Sequence, residues 1–333
     1  MKMNRFVIVL LVLTMLTSCF KEDKPVPYKP LDGITNTAAT TKDYSMVVYY
    51  DLETNSFVGS HHRERWDLAF DNTIIGDWNA ELNGGKKMRV MKLNTQDIKE
   101  VTPTPDPASA DWQYDDYDKE VIAGWNITSA SSDREFVYII DLGSNIDGFS
   151  IGFKKIRILA STSNEYKFEV ANLDGSEYKV FDMEKDPNYN FNFFSFEDGG
   201  KFLKIEPPRS TFDIVFRQFT DKSYYSDMSG FEWYSVNGCL LNHSGNLEVA
   251  IDSSGRDFEL FASQDLGNYT FSKKLNAMGY DWKSYSFNTA SYTVKDWVFL
   301  IKDRKGEYYK LQFLSFVNAS GEKGYPTFQI GKL

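Results

Sequence analysis

The feature that most constrains this chain is a period of two. In Lys155-Ile156-Arg157-Ile158-Leu159, Tyr166-Lys167-Phe168-Glu169-Val170 and Tyr309-Lys310-Leu311-Gln312-Phe313, apolar and polar side chains alternate. Successive side chains of a strand point to opposite faces, so this alternation predicts half-buried strands of antiparallel sheet. Asn-Gly, Asp-Gly or Gly-Gly dipeptides punctuate the runs at 83–84, 147–148, 174–175, 199–200 and 237–238. Such pairs accept the positive φ angles that hairpin turns require. No long stretch keeps a helical period, and a short turn of helix is expected only near 95–100. The expected class is all-β.

Beneath the alternation lies an internal repeat. Arg65-Trp66-Asp67-Leu68-Ala69-Phe70 resembles Thr211-Phe212-Asp213-Ile214-Val215-Phe216. Each follows an aromatic strand, Val47-Val48-Tyr49-Tyr50 in one case and Phe191-Asn192-Phe193-Phe194 in the other. Each precedes a Trp and an Asn-Gly, namely Trp78 with Asn83-Gly84 and Trp233 with Asn237-Gly238. Asp111-Trp112 with Tyr114 is echoed by Asp281-Trp282 with Tyr285. Val137-Tyr138-Ile139-Ile140 is echoed by Val298-Phe299-Leu300-Ile301, and Lys155-Ile156-Arg157-Ile158-Leu159 by Lys310-Leu311-Gln312-Phe313-Leu314. The preserved order predicts two tandem antiparallel β-domains, 44–185 and 186–333. In each motif the aromatic should enter the core while the adjacent Asp, on the other face, accepts hydrogen bonds at a strand edge or turn.

The N-terminus reads as an address. Lys2 and Arg5 precede an apolar run at 6–16 that is too short to span a bilayer. Leu16-Thr17-Ser18-Cys19 resembles a bacterial lipobox, which makes 1–18 a lipoprotein signal peptide and Cys19 the lipidated residue. Phe20-Lys21-Glu22-Asp23-Lys24 resembles a signal that exports lipoproteins to the cell exterior in some Gram-negative lineages. Residues 19–43 then form a flexible tether. The expected location is the outer membrane, lipid-anchored and facing outward. The net charge of −10 excludes the basic face that nucleic acid requires, so the acyl chains, rather than charge, would hold the chain on a membrane. With Cys19 acylated, the second of the 2 cysteines, Cys239, is expected as a buried inert thiol. No P-loop, Rossmann, nucleophile-elbow or zincin motif is present, and no enzyme is expected.

Taken together the landmarks resemble the HmuY family of bacterial surface lipoproteins. The resemblance is carried by Trp66-Asp67-Leu68-Ala69-Phe70 with Asn83, by the degenerate Phe212-Asp213-Ile214-Val215-Phe216 with Asn237, and by Gly306-Glu307-Tyr308-Tyr309-Lys310-Leu311-Gln312-Phe313 followed by Lys323-Gly324-Tyr325-Pro326-Thr327-Phe328. It implies HmuY-like β-domains, here as two diverged copies. It also implies a non-enzymatic role in iron acquisition: capture of haem or a related porphyrin and transfer to an outer-membrane receptor. The family holds haem between two axial side chains, two His in some members and two Met in others. The candidates here are Met278 and His243, with Met228 as a further option and Met88 and Met91 as the comparable residues of the first copy. Imidazole nitrogen and thioether sulfur both ligate haem iron. The bland alternatives are that Met278 fills a gap in the core and that His243 caps a turn.

The chain is 16% aromatic, which supports a rival reading: a glycan- or protein-binding surface lipoprotein with the same fold and no haem site. Tyr224-Tyr225, Trp233-Tyr234, Tyr280 with Trp282, and Tyr308-Tyr309 are its candidate contacts. Two further clusters read as structural. His61-His62 is expected in a solvated loop, since neighbouring strand residues face apart and do not chelate one ion. Asp111, Asp115, Asp116 and Asp118 are expected to form a solvated acidic loop, because the spacing of a calcium-binding loop is absent.

Overall fold

The computed structural model describes residues 34–73, 79–115, 136–225 and 227–333. Cys19, the signal peptide, Trp78, Asp116 and Asp118 lie outside them. The strands run in chain order as β1 (Ile34–Thr37), β2 (Met46–Asp51), β3 (Ser56–His62), β4 (Leu68–Asp71), β5 (Ala80–Leu82), β6 (Arg89–Lys92), β7 (Tyr138–Asp141), β8 (Phe153–Ser161), β9 (Glu165–Ala171) and β10 (Lys179–Glu184). They continue as β11 (Phe191–Ser195), β12 (Lys201–Leu203), β13 (Ile214–Tyr224), β14 (Phe231–Leu241), β15 (Glu248–Asp252), β16 (Lys283–Ser286), β17 (Ser291–Val294), β18 (Val298–Lys302), β19 (Tyr308–Val317) and β20 (Lys323–Lys332). All ladders are antiparallel, as the alternation predicts. The segment near 95–100 is a turn closed by Glu100 N–H donating to the Asp97 carbonyl, not a helix. Among the described residues no helix is long and apolar enough to cross a membrane.

The sheets come in matched pairs. One five-stranded sheet has the order β1-β20-β19-β18-β15 and the other β10-β9-β8-β7-β6; one four-stranded sheet is β3-β2-β13-β14 and the other β12-β11-β4-β5. Each five-stranded sheet packs on a four-stranded one. One core holds Tyr50, Phe216, Phe299, Leu311 and Phe328, and the other holds Phe70, Ile140, Ile158, Phe168 and Phe194. The strand orders of the two pairs of sheets correspond strand for strand. β7 matches β18 and β8 matches β19, the two pairs already visible as echoed sequence. Their central lysines are both buried: Lys155 Nζ donates to the Glu100 carbonyl at 2.5 Å, and Lys310 Nζ to the Phe258 carbonyl at 3.0 Å.

The halves do not pair within 44–185 and 186–333, however. β2 lies against β13 with Tyr50 opposite Ile214, β11 lies against β4 with Phe194 opposite Leu68, and β1 closes the sheet that ends in β20. The first strands of each repeat complete the sheets of the other. Each hydrophobic core accordingly takes residues from both sides of 185: Ala38, Val48, Tyr50 and Leu52 enter one, and Phe194 and Phe196 the other. Order along the chain fixes the repeat, but apolar faces have no memory of which copy they came from and are buried wherever the sheet edge is open.

The exchange is fastened at two matching corners. Trp66 and Phe212 are each 2% exposed, and Asp67 and Asp213 are buried beside them. Asp67 Oδ2 accepts from Phe196 N–H at 2.7 Å, one residue past β11; Asp213 Oδ2 accepts from Leu52 N–H at 2.9 Å, one residue past β2. Asn83 Nδ2 donates to the Arg63 and Trp66 carbonyls, and Asn242 Nδ2 to the Arg209 and Phe212 carbonyls, all at 2.7–2.8 Å. Lys86 neutralises Asp67 at 2.5 Å, and Arg304 reaches Asp213 at 2.5 Å and Asp51 at 2.8 Å. Breaking a buried pair of this kind from one side typically costs about 3–5 kcal/mol.

These corners correct one expectation. The partner of Asn83 is Asn242, five residues beyond Asn237. Asn237-Gly238 is not a turn; it lies within β14. Gly238 is required there because a Cβ would sit 2.4 Å from the Gly279 carbonyl oxygen.

Candidate functional site

Met278 is 2% exposed and packs in the same core as Cys239, Trp282, Phe299 and Phe313. The preceding strand fixes it there, since Cys239 N–H donates to the Gly279 carbonyl at 2.9 Å. Its thioether fills core space, as the alternative to a ligand role would have it. Met88 is likewise buried, in the other core.

His243 follows the corner residue Asn242 and sits at the seam between the halves. Its ring lies 4.8 Å from that of Phe191, and Nε2 is 3.7 Å from Asp71 Oδ2. Burial alone would lower its pKa. The Asp71 contact, with the charges of Glu81 and Glu206, outweighs burial and holds the imidazolium above its ordinary range. Glu206, 8% exposed, accepts from Phe191 N–H at 2.9 Å, and burial pushes its carboxyl up to about 7. The cleft that His243 and Glu206 line measures about 40 Å³, room for a water and far too little for a porphyrin. Met278 does not line it. The two candidate ligands are thus held in separate environments.

His61 and His62 end strand β3 rather than forming a solvated loop. His61 is 4% exposed, hydrogen-bonded to the Tyr49 hydroxyl at 3.2 Å, and burial lowers its pKa to about 4. The loop expectation failed because Phe57, Val58 and the two His alternate as a strand. The alternation does turn His61 inward and leave His62 partly exposed, so the pair faces apart. In the acidic segment, Asp111 is exposed and the Asp115 carboxylate accepts from Leu82 N–H.

Exposed apolar chemistry concentrates on two hairpins of the half built around β13–β20. At the β13–β14 tip, Tyr224 and Phe231 are cross-strand partners with rings 5.7 Å apart, and Phe231 is 5.4 Å from Trp233. Met228, at the turn with φ +57°, is 72% exposed. Lys222 lies over both Phe231 and Trp233. The second hairpin is β16–β17, whose turn carries Phe287 at 90% exposure. From it an unbroken run of rings leads inward: Phe287 to Tyr285 at 5.1 Å, Tyr285 to Tyr292 at 4.8 Å, Tyr292 to Phe316 at 4.8 Å, and Phe316 to Tyr44 at 6.0 Å. Tyr44 closes the inner end of this run. Its hydroxyl meets that of Tyr292 at 3.3 Å, and its pKa is raised by burial and by the neighbouring Tyr292 and Tyr234. Contiguous exposed rings of this kind mark interaction surfaces. Sequence reading picked out Tyr224, Tyr225, Tyr234 and Met228 but not Phe287 or Tyr292. Their signal was a second short hairpin, with Tyr285 and Tyr292 flanking Asn288-Thr289.

A family model described as HmuY protein matches residues 43–330 in one stretch that spans both halves. Among solved structures, the apo HmuY analogue of Tannerella forsythia is 12% identical, with 92% of this chain and 97% of that one covered and a TM-score of 0.34. Apo PinO from Porphyromonas gingivitis is 11% identical over 92% of this chain and 98% of that one, with a TM-score of 0.34. No curated protein matches. With one model covering the chain from just before β2 into β20, the protein belongs to the HmuY family.

Proposed function

We propose that the chain is a lipid-anchored, non-enzymatic surface protein that captures haem or a related porphyrin for uptake. The reading is supported by family membership and carried by one observation: the exposed aromatic hairpins β13–β14 and β16–β17. A porphyrin presents two apolar faces and a polar rim. Stacked rings suit the faces, and tyrosine hydroxyls with Lys222 suit the rim. Met228 is the thioether that a bound iron would reach without unfolding anything. Met278 or His243 would serve as axial ligands only if the segments that hold them opened. An outer-membrane receptor would then take the ligand from the exposed hairpins.

Titrating the protein with haemin and recording the Soret band tests this. A saturable shift that is lost in Phe287→Ser or Met228→Ala is expected. No saturable shift in either oxidation state sinks the haem reading, and glycan arrays then test the rival, for which the same tyrosines are stacking platforms. The anchor has its own test: replacing Lys21, Glu22 and Asp23 with Ala should reduce protease accessibility on intact cells, and unchanged exposure would refute outward export.

A further inference from the structure

A second cleft, of about 330 Å³, opens on the half built around β4–β9. That volume is at the lower end of small-molecule sites. It lies between the Asp67 corner, the loop that joins β7 to β8, and the end of β11, and none of the aromatic hairpin residues lines it.

Its floor carries a buried cation with capacity to spare. Lys86 is 5% exposed, and one of its three N–H donors is on Asp67 Oδ1. The other Asp67 oxygen is already occupied by Phe196 N–H at 2.7 Å and the Ser195 hydroxyl at 3.2 Å. Among the described residues Asp67 is the acceptor that Lys86 meets, and Lys86 lines the cleft. Two more donors join it. Lys154 is 20% exposed, with Nζ on Asn172 and Glu177. Asn145 uses its Oδ1 for the Asp147 and Phe149 N–H groups, which leaves its amide nitrogen as a donor.

Two carboxylates line the same cleft. Glu64 is 26% exposed and accepts from Ile146 N–H at 2.5 Å; Glu197 is 64% exposed beside Lys201. Leu142, Ile151 and Phe196 make the walls. A polyanion would be repelled by Glu64, Asp67 and Glu197, and a simple cation would leave the Lys86 donors unmet. The lining suits a ligand with an acceptor end, a cationic end and an apolar body.

We propose that this cleft binds an apolar zwitterion of dipeptide size. Its carboxylate meets Lys86, Lys154 and Asn145, its ammonium meets Glu64 and Glu197, and its side chains lie on Leu142, Ile151 and Phe196. Isothermal titration of the full-length protein with Leu-Leu tests this against three controls: N-acetyl-Leu-Leu, Leu-Leu amide and Gly-Gly. Saturable millimolar or tighter binding is expected for Leu-Leu, weakened about tenfold or more by blocking either end, since each charged contact is worth at least that factor. Gly-Gly should not bind measurably. Removing Lys86 would strand the buried Asp67, so the site is probed at its edge: Ile151→Glu and Lys154→Glu should each weaken binding about tenfold, and Phe287→Ser should not change it. Absence of saturation with Leu-Leu, or equal binding of the blocked peptides, overturns the proposal whatever haemin does.

Discussion

The seam between the halves makes a prediction whose sign is unusual for an acidic protein. Glu206 is an 8% exposed carboxyl whose pKa burial raises from 4.5 to about 7. The folded state therefore binds a proton that the unfolded chain has already lost, and stability from this group falls as pH rises from about 4.5 through 7. His243, raised above 6.5 mainly by Asp71 against the opposing effect of burial, has the same sense: its contribution is full below 6.5 and is lost above its folded pKa. At 1.36 kcal/mol per unit, ionising Glu206 at pH 8 costs up to about 3 kcal/mol. Glu206→Gln keeps an acceptor for Phe191 N–H and removes the charge. It should raise stability at pH 8 by about 1–3 kcal/mol and change it little at pH 4.5. Urea unfolding of both proteins at pH 4.5, 6 and 8, followed by tryptophan fluorescence, measures this. A wild-type protein that gains stability steadily from pH 5 to 8, or a variant that is less stable at pH 8, would show that the seam does not hold Glu206 as described.

Three further outcomes follow from the packing. Asn83→Ala and Asn242→Ala should each cost about 2–4 kcal/mol by leaving two buried carbonyls unmet, whereas Asn237→Ala, which loses one bond to Thr40, should cost nearer 1; thermal unfolding ranks them. Segments 44–185 and 186–333 expressed apart should stay unfolded by circular dichroism and regain sheet when mixed, because β2 and β11 each belong to the other segment's sheet; an independently folded 186–333 would contradict the pairing. Met278→Ala should lose about 2–5 kcal/mol as a core truncation, while Met228→Ala, 72% exposed, should change stability by less than about 0.5 kcal/mol, as denaturant midpoints would report.

Local patterning was legible in the sequence because burial has a short period. Trp66-Asp67 and Phe212-Asp213 stand just before β4 and β13 rather than on them, with each aromatic in a core and each Asp accepting hydrogen bonds at a corner. Period two also marked β8, β9 and β19. What it could not mark is which strand lies beside which. β2 and β11 are apolar on the same face and fit either sheet, and only the whole set of edges decides between them. The Asn-Gly rule misplaced the second corner because glycine serves two ends: positive φ in a turn, and close approach of another backbone, as at Gly238. The candidate ligands failed to converge for a related reason. Met and His carry no local sign of whether a core or a crevice will claim them, and Met278 was claimed by Trp282 and Phe313.

The crossed pairing also sets a timetable. Leu52 N–H finds its acceptor on Asp213, 161 residues later in the chain. At ribosomal rates of about 5–20 residues per second, β2 waits on the order of ten seconds or more before its second partner, β13, exists. During that interval β2 can pair with β3, but its other edge, along Val48, Tyr49 and Tyr50, stays open, the kind of edge that aggregates. A chain built this way depends on something to shield its first strands until its last ones arrive.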